Sequence, residues 1–349
     1  MRGFIRDAAI SAGQLAILGD GAPIFSTVYA DAPPPGYASV TPQTLFRIAS
    51  GSKIFTCAAI YALQQRGKLD LNQCVFPLLG IAQPALATDH PDPHINDITV
   101  QHLVDHAGGW VRSKSFQVKG GPLIQATGWD PLFRLRTIAL DLGLSAPPPK
   151  LDVARYMYGK PLQFVPGTYD YKSSKGATYG NFGYMLLGLV VEAVTGQGFI
   201  DFIRDGLDGP GTWSSVFVSP MVSRQKNPLE AWYVSPNSGP TVFDPRSDAI
   251  LPAPYGGGGF ITEVMDSAAG LITNAETLAH FASRHSASGL GGRVPGTYRD
   301  GTIPGSYSNT LSRPNGIDCS YMFNTKDFPG GIDSAEKFSS KLRKHLDQL

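Results

Sequence analysis

The 349-residue chain exceeds the roughly 250 to 300 residues at which a single hydrophobic core stops growing, so it holds one large domain or two ordinary ones. A hydrophobic share of 42% excludes a disordered protein, and 16% charged residues, against an average of about 25%, argues against a highly charged binding surface. Lys and Arg number 29 against 28 Asp and Glu, a net charge of +1 that provides no basic field for nucleic acid or an anionic membrane. No run of apolar residues is long enough to span a bilayer, so no membrane insertion is expected. The opening Met1-Arg2-Gly3-Phe4-Ile5-Arg6-Asp7 lacks the apolar core of a signal peptide. The location expected by default is cytoplasmic, or periplasmic or secreted if a leader precedes Met1. Cys57, Cys74 and Cys319 are too few and odd in number for a disulfide framework; they read as buried thiols, with a Cys57–Cys74 bridge left open.

In chain order, Gln14 to Leu18 and Ile24 to Tyr29 flank an Asp20-Gly21 turn and predict a β-hairpin. Apolar residues at helical spacing from Ser50 to Arg66, ended by Gly67, predict a helix with Ser50 on its first turn. Helical stretches at Val100 to His106, Leu132 to Leu142 and Tyr184 to Val194 are joined by Pro- and Gly-rich segments. Strand character returns after about residue 255. Asp300 to Leu311 and Gly316 to Asn324 read as two strands around Pro314-Asn315-Gly316. An amphipathic helix from Ser334 to Leu349 closes the chain. The expected fold class is α+β (mixed α/β): an antiparallel sheet built from both chain termini with packed helices, plus a mainly helical inserted region. Residues 1–80 and 255–349 would form the sheet subdomain and 81–254 the insertion, with the site in the cleft between them.

A serine nucleophile needs a base within hydrogen-bond reach, and a lysine three residues on lies on the same helical face. Ser50-Gly51-Ser52-Lys53 has this form at the start of an apolar helix, where backbone N–H groups and the helix dipole favour developing negative charge. Ser223–Lys226 and Ser334–Lys337 share the spacing in polar surroundings. Tyr179-Gly180-Asn181 places a phenol and an amide before a helix, and Arg299-Asp300-Gly301-Thr302 places a cation and a glycine at a strand start. His102 and His106 have the spacing of a metal pair but no third ligand, and His90 and His94 fall in a proline-rich loop. Neither a Walker loop, a dinucleotide glycine fingerprint nor a Gly-x-Ser-x-Gly elbow is present. No metal or cofactor is therefore expected.

Three blocks, Leu45 to Thr56, Gln64 to Leu71 and Ile98 to Gly109, together with Tyr179 to Tyr184 and Asp300 to Gly305, resemble the serine β-lactamase and penicillin-binding-protein superfamily. The resemblance is to its class C-like branch, which also holds family VIII carboxylesterases, D-aminopeptidases and acyltransferases. It implies a nucleophile at Ser50, a proton partner at Lys53 and a proton-relaying phenol at Tyr179. Asn181 would orient substrate and Lys53, and the backbone N–H groups of Ser50 and Thr302 would form the oxyanion hole. Arg299, Asp300 and Gly301 would contact substrate. They replace the Lys-Thr-Gly pattern with Arg-Asp-Gly, and Asp300 is expected to neutralise the Arg299 field. That departure tilts the expectation from a β-lactam toward a carboxylic ester or small amide, hydrolysed through an acyl-enzyme. A β-lactamase, a D-Ala-D-Ala peptidase or D-aminopeptidase, an acyltransferase and a non-turnover penicillin-binding sensor are the alternatives. The partner implied is a small-molecule ester or amide, and neither oligomeric state nor the identity of the primary base, Lys53 or Tyr179, is readable.

Overall fold

The computed structural model describes residues 2–8, 10–222 and 226–349. Its main sheet has five antiparallel strands: β1 (Ala12–Gly19), β2 (Ala22–Ala30), β3 (Tyr298–Ile303), β4 (Ser306–Ser312) and β5 (Ile317–Phe323), in the order β3-β4-β5-β1-β2. The two ends of the chain meet where β1 pairs with β5, from Gly13↔Phe323 to Gly19↔Ile317. The predicted first hairpin is present. Asp20 and Gly21 both have positive φ, 48° and 80°, the backbone that twists with the strands and that Asp and Gly tolerate best.

Strand alternation gives this sheet two apolar faces. Leu15, Ile17, Tyr321 and Phe323 pack on one side with the closing helix Ile332–Leu346, where Phe4 of the short Arg2–Asp7 helix stacks on Phe338 at 4.6 Å between centroids. Ala12, Ala16 and Met322 face the larger core on the other side. That core is built on three helices: α1 (Ser52–Gln65), α2 (Phe182–Thr195) and α3 (Ala275–Arg284). α1 is buried from Ser52 through Ile60, so it is a central rather than an amphipathic surface helix, and its Phe55 lies 3.9 Å from Phe281 of α3.

Two elements differ from expectation. The strand read from Asp300 to Leu311 is broken by Pro304-Gly305, a two-residue turn with Gly305 at φ 79°, so the C-terminal strands form a three-stranded meander. A helix at Lys150–Tyr158 follows the proline run Pro147-Pro148-Pro149, whose fixed φ suits the entry to a helix although the run itself reads as loop. The three cysteines are free thiols, Cys57 and Cys319 buried and Cys74 half-buried, which removes the Cys57–Cys74 bridge. Among the described residues no single helix is long and apolar enough to cross a membrane.

A buried amide ties the sheet to the segment that carries Ser50. Gln14 donates from Nε2 to the Thr41 and Thr44 carbonyls at 2.7 and 2.8 Å, and its Oε1 accepts the Ala275 N–H at 3.0 Å. One side chain on β1 thus holds both the approach to Leu45–Arg47 and the start of α3. Gln14→Leu leaves the buried Thr44 carbonyl and Ala275 N–H unpaired, while the Thr41 carbonyl keeps the Thr44 N–H, at about 1–3 kcal/mol for each lost partner less local relaxation. It is expected to lower unfolding stability by about 2–4 kcal/mol in urea titration, and an unchanged midpoint would refute this role.

Candidate active site

The chain reaches the site through Phe46–Arg47, a short strand paired with Leu271–Thr273. Arg47 is buried and fully engaged: Nε donates to Ser219 at 2.8 Å, Nη1 to the Pro254 carbonyl at 2.7 Å, and the guanidinium lies 4.3 Å over the Tyr233 ring. Beyond it Ala49 turns with φ 47°, a region non-glycine residues seldom adopt, and Ser50 follows in a tight turn immediately before α1.

Four of the residues singled out in the sequence converge there. The Tyr179 hydroxyl donates to Ser50 Oγ at 2.7 Å. Lys53 Nζ lies 3.3 Å from the same oxygen, 2.7 Å from Asn181 Oδ1 and 2.7 Å from the Ala268 carbonyl. Two of those partners only accept, so two N–H bonds are committed, and the third position on nitrogen faces Ser50 as either a proton or a lone pair. The Asn181 amide has one possible orientation: its oxygen serves Lys53 and its Nδ2 donates to Asp130 Oδ2 at 2.8 Å. Ser52 does not join this network. Its hydroxyl accepts the Leu271 N–H at 3.1 Å and anchors the helix start instead of bonding Lys53.

The remaining predicted residues come from β3. A Cβ at Gly301 would run into the Ile48 carbonyl and come within 2.8 Å of the Ser50 and Gly51 nitrogens, so only glycine lets the strand lie against the Ser50 turn. Pro304-Gly305 closes on the Ile303↔Ser306 pair, and bonded and non-bonded pairs alternate along an antiparallel ladder. The Thr302 N–H therefore projects off the free edge of β3, and Thr302 lines the cleft with Ser50. Arg299 and Asp300 line it too, but alternation sends their side chains to opposite faces, and among the described residues they form no ion pair. Asp300 makes no direct contact with the Arg299 guanidinium, although its negative charge still acts on Arg299 at longer range. The Arg299 Nε is buried without a hydrogen-bond partner.

Charge is concentrated behind Ser50. Burial lowers the Lys53 ammonium from its ordinary value, helped by the positive charges of Arg299 and Arg112 and opposed by Tyr179. For Tyr179 burial acts upward, yet the charges of Lys53 and Arg299 and the hydrogen bonds to Lys53 and Ser50 bring the phenol below its usual value. His106 is held neutral by burial and by the same three cations.

Three further residues were not singled out as site groups. Asp130 fixes Asn181, Arg112 bonds Asp130 at 3.2 Å and the Tyr179 carbonyl at 3.0 Å, and His106 Nδ1 accepts the Gly180 N–H at 3.3 Å with its ring 4.6 Å from that of Tyr179. His106 appeared in the sequence only as half of an i, i+4 pair. Its partner His102 is engaged in the capping box of Thr99. Of the two other Ser-x-x-Lys segments, Ser334 sits at the exposed start of the closing helix, and Ser223 lies outside the described residues.

The fold is similar to those of several solved proteins. The penicillin binding protein from Bacillus halodurans has a TM-score of 0.62 at 15% identity, covering 97% of this chain and 99% of that one. A D-stereospecific amidohydrolase from Streptomyces sp. has a TM-score of 0.59 at 17% identity, covering 94% and 93%. A D-alanine carboxypeptidase from Burkholderia cenocepacia has a TM-score of 0.58 at 15% identity, covering 96% and 94%. At these identities the likeness is one of fold. Membership comes from the sequence: the family model described as Beta-lactamase matches residues 1–331, and over that span the chain belongs to the beta-lactamase family.

Proposed function

We propose that the protein is a serine hydrolase that forms an acyl-enzyme at Ser50 on a carboxylic ester or small amide. The observation that carries this reading is the 2.7 Å bond between Tyr179 and Ser50, with Lys53 immobilised beside both. In the forward step Ser50 Oγ attacks the substrate carbonyl carbon as its proton passes to the Tyr179 oxygen. The C–O or C–N bond then breaks, and Tyr179 returns that proton to the leaving group. Water repeats the sequence on the acyl-enzyme and frees Ser50. The Ser50 and Thr302 N–H groups would receive the oxyanion. Tyr179 is the nearer of the two candidate bases, and the positive charges of Lys53 and Arg299 beside it support its phenolate form.

Ser50 and Lys53 with β3 belong to segments 1–80 and 255–349, while Arg112, Asp130, Tyr179 and Asn181 belong to 81–254. We take these as two subdomains with the reaction in the cleft between them. A second reading is favoured by Arg299, whose guanidinium is in no ion pair among the described residues and keeps its Nε without a partner: an amide or peptide with a free carboxylate. The D-stereospecific amidohydrolase and the D-alanine carboxypeptidase among the similar folds support the amide side of the proposal.

Ser50→Ala should abolish turnover of a chromogenic short-chain ester, a loss on the order of 10³-fold or more, together with the acyl adduct seen by intact mass. Retained turnover would exclude Ser50 as nucleophile. Tyr179→Phe should cost about 10²-fold or more in kcat with an unchanged melting temperature. Normal turnover in that variant would pass the proton-transfer role to Lys53. The pH dependence follows from the charges. A phenolate base is inactive while protonated, so kcat/KM rises with pH through the lowered Tyr179 pKa. Removing the Arg299 charge raises that pKa, and Arg299→Gln should displace the rising limb to higher pH; a stationary or downward-moving limb contradicts the coupling.

A further inference from the structure

Beside the nucleophile cleft lies a second cavity of about 400 Å³, walled by Trp110, Trp129, Pro131, Tyr156, Met157 and Phe182. It adjoins the cleft, with Arg112, Tyr179 and Asn181 in the lining of both. The polar groups on its walls are already engaged. Arg112 is paired with Asp130 at 3.2 Å and Lys160 with Asp89 at 2.8 Å. Thr127 donates to the Val111 carbonyl at 2.8 Å, and Gln163 accepts the Val111 N–H at 3.1 Å while donating to the Pro161 carbonyl at 2.9 Å. What remains is the Trp110 Nε1, which is buried without a partner.

A cavity with no charge to spare, aromatic walls and a methionine suits a neutral, flat, apolar group, which gains from ring contacts and from the polarisable sulfur. Its volume is at the small end of ligand sites, about 300–1,000 Å³. It fits one ring with a short linker rather than a polymer. The polar character of the cleft on the other side of Tyr179, where Ser50, Arg299, Asp300 and Thr302 meet, leaves the two ends of a bound molecule in unlike surroundings.

We infer that this cavity is the specificity pocket of the reaction proposed above and takes an aryl or arylalkyl group carried by the ester or amide. The inference rests on that reading for its chemistry, yet the pocket can be tested without turnover. In Ser50→Ala protein, ligand-observed NMR titration should give phenylacetamide a Kd at least tenfold lower than acetamide, and Trp129→Ala and Trp129→Leu in the same background should erase that preference. Equal affinity for the two amides, or a preference that survives both Trp129 variants, overturns the pocket. Turnover is read separately, as the ratio of kcat/KM for methyl phenylacetate over methyl acetate in the unsubstituted protein, which should exceed ten and fall at least tenfold in Trp129→Ala. Ester hydrolysis with no aryl preference in binding or rate leaves the hydrolase standing and removes the pocket. Preferential binding in Ser50→Ala, with no adduct at Ser50 in the unsubstituted protein, keeps the pocket and removes the hydrolase.

Discussion

The whole site depends on keeping the Lys53 amine in a place where water does not reach it. Its side chain is fully buried, and among the described residues no carboxylate touches it: its partners are an amide oxygen, a backbone carbonyl and the Ser50 hydroxyl. An isolated ammonium so placed costs several kcal/mol, and neutral dipoles recover only part of that. The nearby group able to supply a compensating negative charge by losing a proton is Tyr179, whose ring centroid lies 5.0 Å from the amine. The pair therefore has two low-cost forms, ammonium with phenolate and amine with phenol, which differ by the position of one proton. Either form leaves a basic atom facing Ser50. The same burial that threatens stability is what makes the hydroxyl's surroundings basic.

Everything around the pair acts to prevent its collapse into a simpler arrangement. Asp130 cannot reach Lys53 because Asn181 stands between them, accepting from the amine and donating to the carboxylate. A direct Lys–Asp contact would satisfy the ammonium permanently and leave Ser50 without a base. Arg112 in turn holds Asp130 in place, and His106, kept neutral, supports the backbone between Tyr179 and Asn181. On the opposite wall Gly301 lets β3 press its backbone against the Ser50 turn. The Asn181–Lys53 and Gly301–Ser50 contacts join parts of the chain more than a hundred residues apart, so the site is assembled by tertiary packing, while the Ser50–Lys53 spacing is already present in the first turns of α1.

That contrast explains what could be read in advance. Ser50 with Lys53 is a local pattern whose spacing alone puts two groups on one face, Tyr179 with Asn181 is a short local motif, and the resemblance of their flanks to a known family covered most of the chain. The first hairpin was legible because Asp20-Gly21 names its own turn. Asp130 and Arg112 were not, since an Asp before a proline and an Arg in a loop carry no periodic signal and acquire meaning only through partners 51 and 67 residues away. The Pro304-Gly305 turn was overlooked because the residues on both sides of it have strand character, and a two-residue loop interrupts such a pattern only briefly. Arg299 and Asp300 were read as a neutralising pair from adjacency; adjacency in a strand sends the side chains to opposite faces, so Asp300 acts on Arg299 through its charge and not through contact.

The main sheet has two free edges, and they are treated differently. On β2, Ile24 and Phe25 are more than half exposed, and the strand runs for nine residues with no neighbour beyond it, the kind of surface on which another chain can add a strand. On β3 that possibility is closed, because the turn bearing Ser50 packs against the strand at Gly301. An uncovered sheet edge is a row of backbone donors awaiting a partner. At β3 the fold leaves such a donor, the Thr302 N–H, beside a serine hydroxyl, so that a feature elsewhere associated with unwanted self-association is sheltered from other chains and open only to a molecule small enough to enter the cleft.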